Sequence, residues 1–180
     1  MRMGNLPAMS QNPAYRPYEY FIRFENLSVN EGLSQSTGRD ILQDSNGFIW
    51  IATQDGLNRY DGRTFRIYNN IPGEPNSLSD NFILSLLEDS QGCLWIGTNG
   101  AGINRLNLKT QVFTHFRHDP GNAKTLSNGV VHDIVEDQQG TLWFATDHGL
   151  NRFNREEQTF ERFYLDTAIS NHSYITCIYE

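Results

Sequence analysis

The chain has 180 residues, 38% hydrophobic and 19% charged, with 15 Gly and 6 Pro, a globular composition that excludes a low-complexity or disordered polypeptide. Its 21 acidic residues outnumber 14 basic ones and leave a net charge of −7, which argues against nucleic acid as a partner. Cys93 and Cys177 make neither a disulfide framework nor a CxxC metal pair, and no apolar run is long enough to cross a membrane.

Residues 1–17 read as a flexible leader that is not a signal peptide, because Arg2 is followed by no apolar segment of the kind a signal peptide needs. Phe21-Ile-Arg-Phe24, followed by Leu33-Ser34, returns later as Phe65-Arg-Ile-Tyr68 followed by Leu78-Ser79. It therefore reads as an outer strand without its own unit. A first full unit follows over about 36–69. It contains Asp44-Ser-Asn-Gly47, then Phe48-Ile-Trp50-Ile-Ala-Thr53, then Gly56-Leu-Asn-Arg-Tyr60, then an aromatic run from Phe65 to Tyr68. A second unit over about 81–117 repeats the pattern with Asp89, Gly92, Trp95, Asn104-Arg105 and Phe113 to Phe116. A third, about 129–165, carries Asp137, Gly140, Trp143, Asn151-Arg152 and Phe160 to Phe163. Ser173-Tyr-Ile-Thr-Cys-Ile-Tyr-Glu180 matches Gly129 to Glu136 and reads as the first strand of a further unit.

Each unit predicts four short strands joined by Gly-bearing turns, with no stretch of helical period. The repeat length and strand number are those of a propeller blade. The apolar runs suit sheets covered on both faces, and alternation predicts Leu94 and Ile96 against one neighbouring blade and Trp95 against the other. The fold class is therefore all-β: a partial β-propeller of three complete antiparallel blades, an orphan outer strand at the N-terminus and an orphan inner strand at the C-terminus. A propeller closes with about 4–8 blades, so a fragment of a longer chain is expected.

These units resemble the two-component-regulator propeller repeat, best in Leu94-Trp-Ile-Gly-Thr98 and Gly56-Leu-Asn-Arg-Tyr-Asp61. The resemblance implies a periplasmic sensor segment of a bacterial receptor whose output is a histidine kinase or diguanylate cyclase. It also implies carbohydrate fragments as ligands.

Within the chain, a residue repeated in every unit serves the blade, whereas a ligand site needs residues that differ between blades. The three Trp are expected in the core, the three Asp in turn chemistry, and the Asn-Arg pairs in bracing neighbouring blades through carboxylates or aromatic faces. The variable positions are Arg39, Gln54, Asp55, Asn81, Asn99, Asp147 and His148, with Gly100, Ala101, Arg117, His118 and His172 beside them. If the first strand is innermost, all of these fall on one loop face, together with the inter-blade stretches 69–81, 117–129 and 164–172. Their amide, carboxylate and guanidinium groups suit a small polar ligand such as an oligosaccharide. His115 and His118 have no third ligand nearby in sequence, so no metal and no cofactor is expected. No catalytic residue is placed by spacing. The expected partners are the small ligand and a second copy through exposed blade faces, with no nucleic acid and no membrane contact. Two other readings stay open: a sialidase-like hydrolase of glycans, whose Asp box the turn faintly resembles, and a protein-interaction scaffold.

Overall fold

A computed structural model describes residues 26–164 and 173–179. Twelve strands form three four-stranded antiparallel sheets, each in simple sequence order. The first blade holds β1 (Gly38–Gln43), β2 (Ile49–Thr53), β3 (Gly56–Tyr60) and β4 (Phe65–Tyr68). The second holds β5 (Ile83–Glu88), β6 (Cys93–Thr98), β7 (Ile103–Asn107) and β8 (Val112–Phe116). The third holds β9 (Val131–Glu136), β10 (Leu142–Thr146), β11 (Gly149–Asn154) and β12 (Thr159–Phe163). Among the described residues the helical element is a 3-10 turn, Val29–Glu31, closed by a capping box between Ser28 and Glu31.

The Asp-x-x-Gly turns have a common geometry. Asp44 Oδ1 accepts the Asn46 and Phe48 N–H groups, and Oδ2 accepts the Trp50 indole at 2.8 Å. Asp89 does the same for Gln91, Cys93 and Trp95, and Asp137 for Gln139, Thr141 and Trp143. The carboxylate thus fixes the turn and one edge of the Trp, as its repetition predicts.

The inner strands converge: β1 contacts β5, and β5 contacts β9. Two apolar clusters fill the gaps between consecutive blades. Trp50 packs with Leu94, Ile96 and Leu106 of the second blade, and Trp95 with Leu142, Phe144, Phe153 and Phe160 of the third. Strand alternation therefore directs the two faces as expected. Trp50 and Trp95 are fully buried, but Trp143 is only half-buried. It points to the side of the third blade that no further sheet covers among the described residues.

Carboxylates also join the blades. Glu88 accepts the Ser45 amide and hydroxyl at 2.6 Å each, and Glu136 accepts the same groups of Ser90. The Asn of each Asn-Arg pair holds the incoming chain: Asn58 accepts the Ser34 N–H, Asn104 that of Ser79, and Asn151 that of Ser127. The Arg stacks chiefly on aromatics of its own blade, Arg59 on Phe48, Arg105 on Trp95 and Phe116, and Arg152 on Trp143 and Phe163. Of these three Arg, Arg105 also reaches across a boundary, donating to Gln158 of the third blade.

The leader and the Phe21–Phe24 strand expectation lie outside the described residues. Residues 173–179 form no strand, since no ladder partner for them lies among the described residues. They nonetheless line the third blade. Gly149 donates to the Ser173 carbonyl, and Ile178 N–H donates to Asp133 Oδ2 at 2.8 Å. The second contact copies that of Leu86 N–H with Asp40 Oδ2 two blade boundaries earlier.

Candidate functional site

Each inner strand departs from ladder register near its start. The shift falls between Gly38 and Asp40 in β1, between Ile83 and Ser85 in β5, and opposite Ala145 and Thr146 in β9. The residues skipped by the ladder are Arg39, Leu84 and His132. They occupy one column of the repeat but differ chemically. A bulge redirects a side chain that regular pleating would bury in the sheet face.

The loops after β2, β6 and β10 lie at the same end. Thr53, Thr98 and Thr146, which lead into them, pair with Gly38, Ile83 and Val131 at the starts of the inner strands. Arg39, Gln54, Asp55, Asn81, Asn99, Asp147 and His148 therefore share one end of the blades.

The structure distributes these residues between scaffold and surface. Asn81 accepts the Asn70 N–H at 2.6 Å and reaches Asp55 Oδ1 at 3.4 Å, so its amide is largely committed to holding two loops together. Gln54 and Asn99 are exposed, and the Asn99 backbone bridges to Val130 of the next blade. His148 is exposed and meets the Tyr164 ring edge-on. Asp147 is bonded to His132 Nε2 at 2.6 Å. Arg39 is exposed and stands over the Phe82 ring at 5.7 Å. His118 bonds the Leu126 carbonyl and His115 the Ser77 carbonyl, which commits one ring nitrogen of each to the scaffold. Arg117 is exposed, and His172 lies outside the described residues.

Three residues at this end escape a reading by loops alone: His132, Phe82 and Tyr174. His132 and Tyr174 rings meet edge-on at 4.9 Å. The repeat supplies the signal that finds them. His132 shares the column of Arg39, and Tyr174 shares that of Phe82.

The acids near the blade axis are mostly engaged. Burial pushes the Asp40 carboxyl above its ordinary range, against the pull of the Leu86 and Ile41 N–H groups, and the nearby Asp133 charge adds to the rise. Asp133 accepts the Ile134 and Ile178 N–H groups.

The profile of the two component regulator propeller matches three times, over residues 32–55, 77–100 and 125–148. The fold is similar to the extracellular domain of the hybrid two component system BT3049 from B. thetaiotaomicron, with a TM-score of 0.72 and 29% identity over 77% of this chain. It is also similar to the extracellular domain of the hybrid two component system BT4673 from the same organism, with a TM-score of 0.62 and 25% identity over 73% of this chain. Histidine kinase P4 of Formosa agariphila is 48% identical over 56 residues, which are 31% of this chain. The chain spans 20% and 19% of the two extracellular domains and 4% of the kinase.

Proposed function

From a chain built of three two-component-regulator propeller repeats, we propose a non-catalytic, ligand-sensing segment of a bacterial signal-transduction receptor, located outside the cytoplasm. The ligand is a small polar molecule such as an oligosaccharide, and it binds at the end of the blades that carries Arg39, Gln54, Asp55, Asn99, Asp147 and His148. The similarity to extracellular domains of hybrid two component systems supports the location and the signalling role. The observation that carries the site is internal. Residues that repeat from blade to blade are tied into turns and cores, while those at the loop end differ in each blade.

The same bookkeeping disfavours hydrolysis. Asp44, Asp89 and Asp137, the carboxylates nearest to an Asp box, each accept two turn N–H groups and an indole. None is placed as a general acid or nucleophile. Where no further blade covers them, the apolar faces around Ile41 and Ile67 on the first blade and Phe163 on the third offer a surface to a second copy. Isothermal titration against an oligosaccharide panel, with hydrolysis assays on the same mixtures, tests the reading. Binding without turnover supports it, and turnover of any glycan replaces it with the hydrolase.

A further inference from the structure

Two inter-blade loops share one construction but enclose different side chains. Ile71-Pro-Gly-Glu74 runs on to Ser77-Leu78 before the second blade, and Asp119-Pro-Gly-Asn122 runs on to Thr125-Leu126 before the third. The next residues, Ser79 and Ser127, donate their N–H groups to Asn104 and Asn151, which fixes the correspondence residue by residue. Each loop curls around a hydroxyl. Ser77 Oγ donates to the Ile71 and Glu74 carbonyls, and Thr125 Oγ1 to those of Asp119 and Asn122. Asn70 and His118 bond the equivalent carbonyls of Leu78 and Leu126.

On the outer strands, His115 pairs with Asn104 and Arg162 with Asn151, so the two hold one position of the repeat. Arg162 Nε donates to the Thr125 carbonyl at 2.8 Å. Its Nη2 lies 2.8 Å from the Leu126 carbonyl, 2.9 Å from the Asn122 carbonyl and Thr125 Oγ1, and 3.3 Å from the Asp119 carbonyl. His115 Nε2 copies the first contact, on the Ser77 carbonyl at 2.8 Å. An imidazole is too short to carry a second nitrogen to the place of Nη2. The carbonyls of Ile71, Glu74 and Leu78 and the Ser77 hydroxyl are therefore the same four acceptors, and no cationic nitrogen reaches them among the described residues.

A cavity of about 460 Å³ opens at this place, lined by Ile71, Glu74, Leu78 and His115. Pro72 and Pro75 add an apolar wall along which an alkyl stem can lie, and Glu74 adds a carboxylate. Arg117 also lines the cavity but is exposed and donates to none of the four acceptors.

We infer that this cavity binds the head of an alkylguanidinium or alkylammonium, with one N–H nitrogen held as Arg162 Nη2 is held in the next loop and the stem along Pro72 and Pro75. The head group comes from a small amine or from a basic side chain of a partner. The site lies beside the outer strand of the second blade, and the inference does not depend on the sensor reading above.

The experiment is calorimetric titration of the full chain with propylguanidinium, propylammonium, a Gly-Arg-Gly peptide blocked at both ends, and tetramethylammonium, which has the charge but no N–H donor. Amide NMR shifts follow each titration. The expected result is binding of the N–H cations about tenfold or more tightly than tetramethylammonium, with shifts centred on residues 70–79 and His115. His115→Arg supplies the repeat's own guanidinium and should abolish that binding while raising the thermal midpoint. Tighter binding of the peptide than of propylguanidinium assigns the site to a partner's side chain, and equal binding assigns it to the head group alone. Tetramethylammonium bound as tightly as propylguanidinium would overturn the inference without any variant. So would unchanged binding in a folded His115→Arg, or binding seen only in Arg117→Ala, which would make Arg117 the resident cation.

Discussion

Arg155 Nη1 lies 2.8 Å from Asp89 Oδ2, across the boundary between the third and second blades. The same guanidinium reaches Glu136 at 2.6 Å and the Gly140 carbonyl. Asp89 already accepts the Trp95 indole, and its side chain is fully buried. One Arg thus ties a turn carboxylate, the Trp below it and the inter-blade Glu into one network. The corresponding residue of the second blade is Leu108, which packs on the cluster beneath Trp50. The two boundaries use different chemistry for the same purpose.

Removing Arg155 leaves a buried carboxylate without its cation. Arg155→Met should cost about 3 kcal/mol or more in denaturant unfolding. Arg155→Lys should recover part of it, as the charge without the fork. A midpoint unchanged in Arg155→Met would show that the pair contributes nothing to the boundary.

The same network predicts an acid sensitivity. Burial would raise the Asp89 carboxyl, but the Trp95 and Arg155 hydrogen bonds and the Cys93 N–H together hold it below its ordinary value. A depressed carboxylate gives stability that is present above the unfolded-state pKa and is lost as pH falls through the folded-state pKa. Urea midpoints should therefore fall from about pH 4 downward. In Arg155→Met the loss from this residue should begin at higher pH. Parallel pH curves for the two proteins would contradict the assignment.

Trp95 and Trp143 occupy equivalent positions in different surroundings. Trp95→Ala should cost about 3–5 kcal/mol because it opens a cavity between two blades. Trp143→Ala should cost clearly less, since one side of that ring is uncovered among the described residues. Thermal unfolding of the two variants side by side checks the ranking.

Gly97 stands where the first and third blades have Ala52 and Ala145. A Cβ there would lie 2.3 Å from Ser85 Oγ and 2.8 Å from the Val131 carbonyl. The repeat's own alternative, Gly97→Ala, should therefore destabilise by about 1–3 kcal/mol. A neutral or stabilising effect would mean that the inner strand of the third blade moves aside freely.

Asp55, Asn99 and Asp147 lie at the loop end, and Asn107 and Lys109 at the opposite turns. On the proposed sensor reading, truncating the first three to Ala together should abolish ligand-dependent output of the protein expressed in full length in a reporter strain. Lys109→Ala should leave it unchanged. Wild-type response in the triple variant would place the sensor elsewhere.

The repeat made the blade count, the strand order and the roles of Trp50, Trp95, Asp44 and Asp89 legible in the sequence. Local rules suffice there: Gly permits the turn, Asp caps it, and alternation directs Trp to one face. The loop end was legible for the same reason, because strand order alone assigns each loop to one end. Other properties were set only when blades met. Asn81 looks like a free loop amide in sequence but is bound to Asn70 and Asp55. Trp143 looks like its two fellows, but among the described residues no sheet covers it as the next blade covers them. Arg155 and Asp89 are 66 residues apart, and no local pattern links them. The bulges that aim Arg39 and His132 are shifts in strand pairing, which is a relation between strands. Sequence fixes what a residue can bond to, but which partner arrives depends on packing between blades.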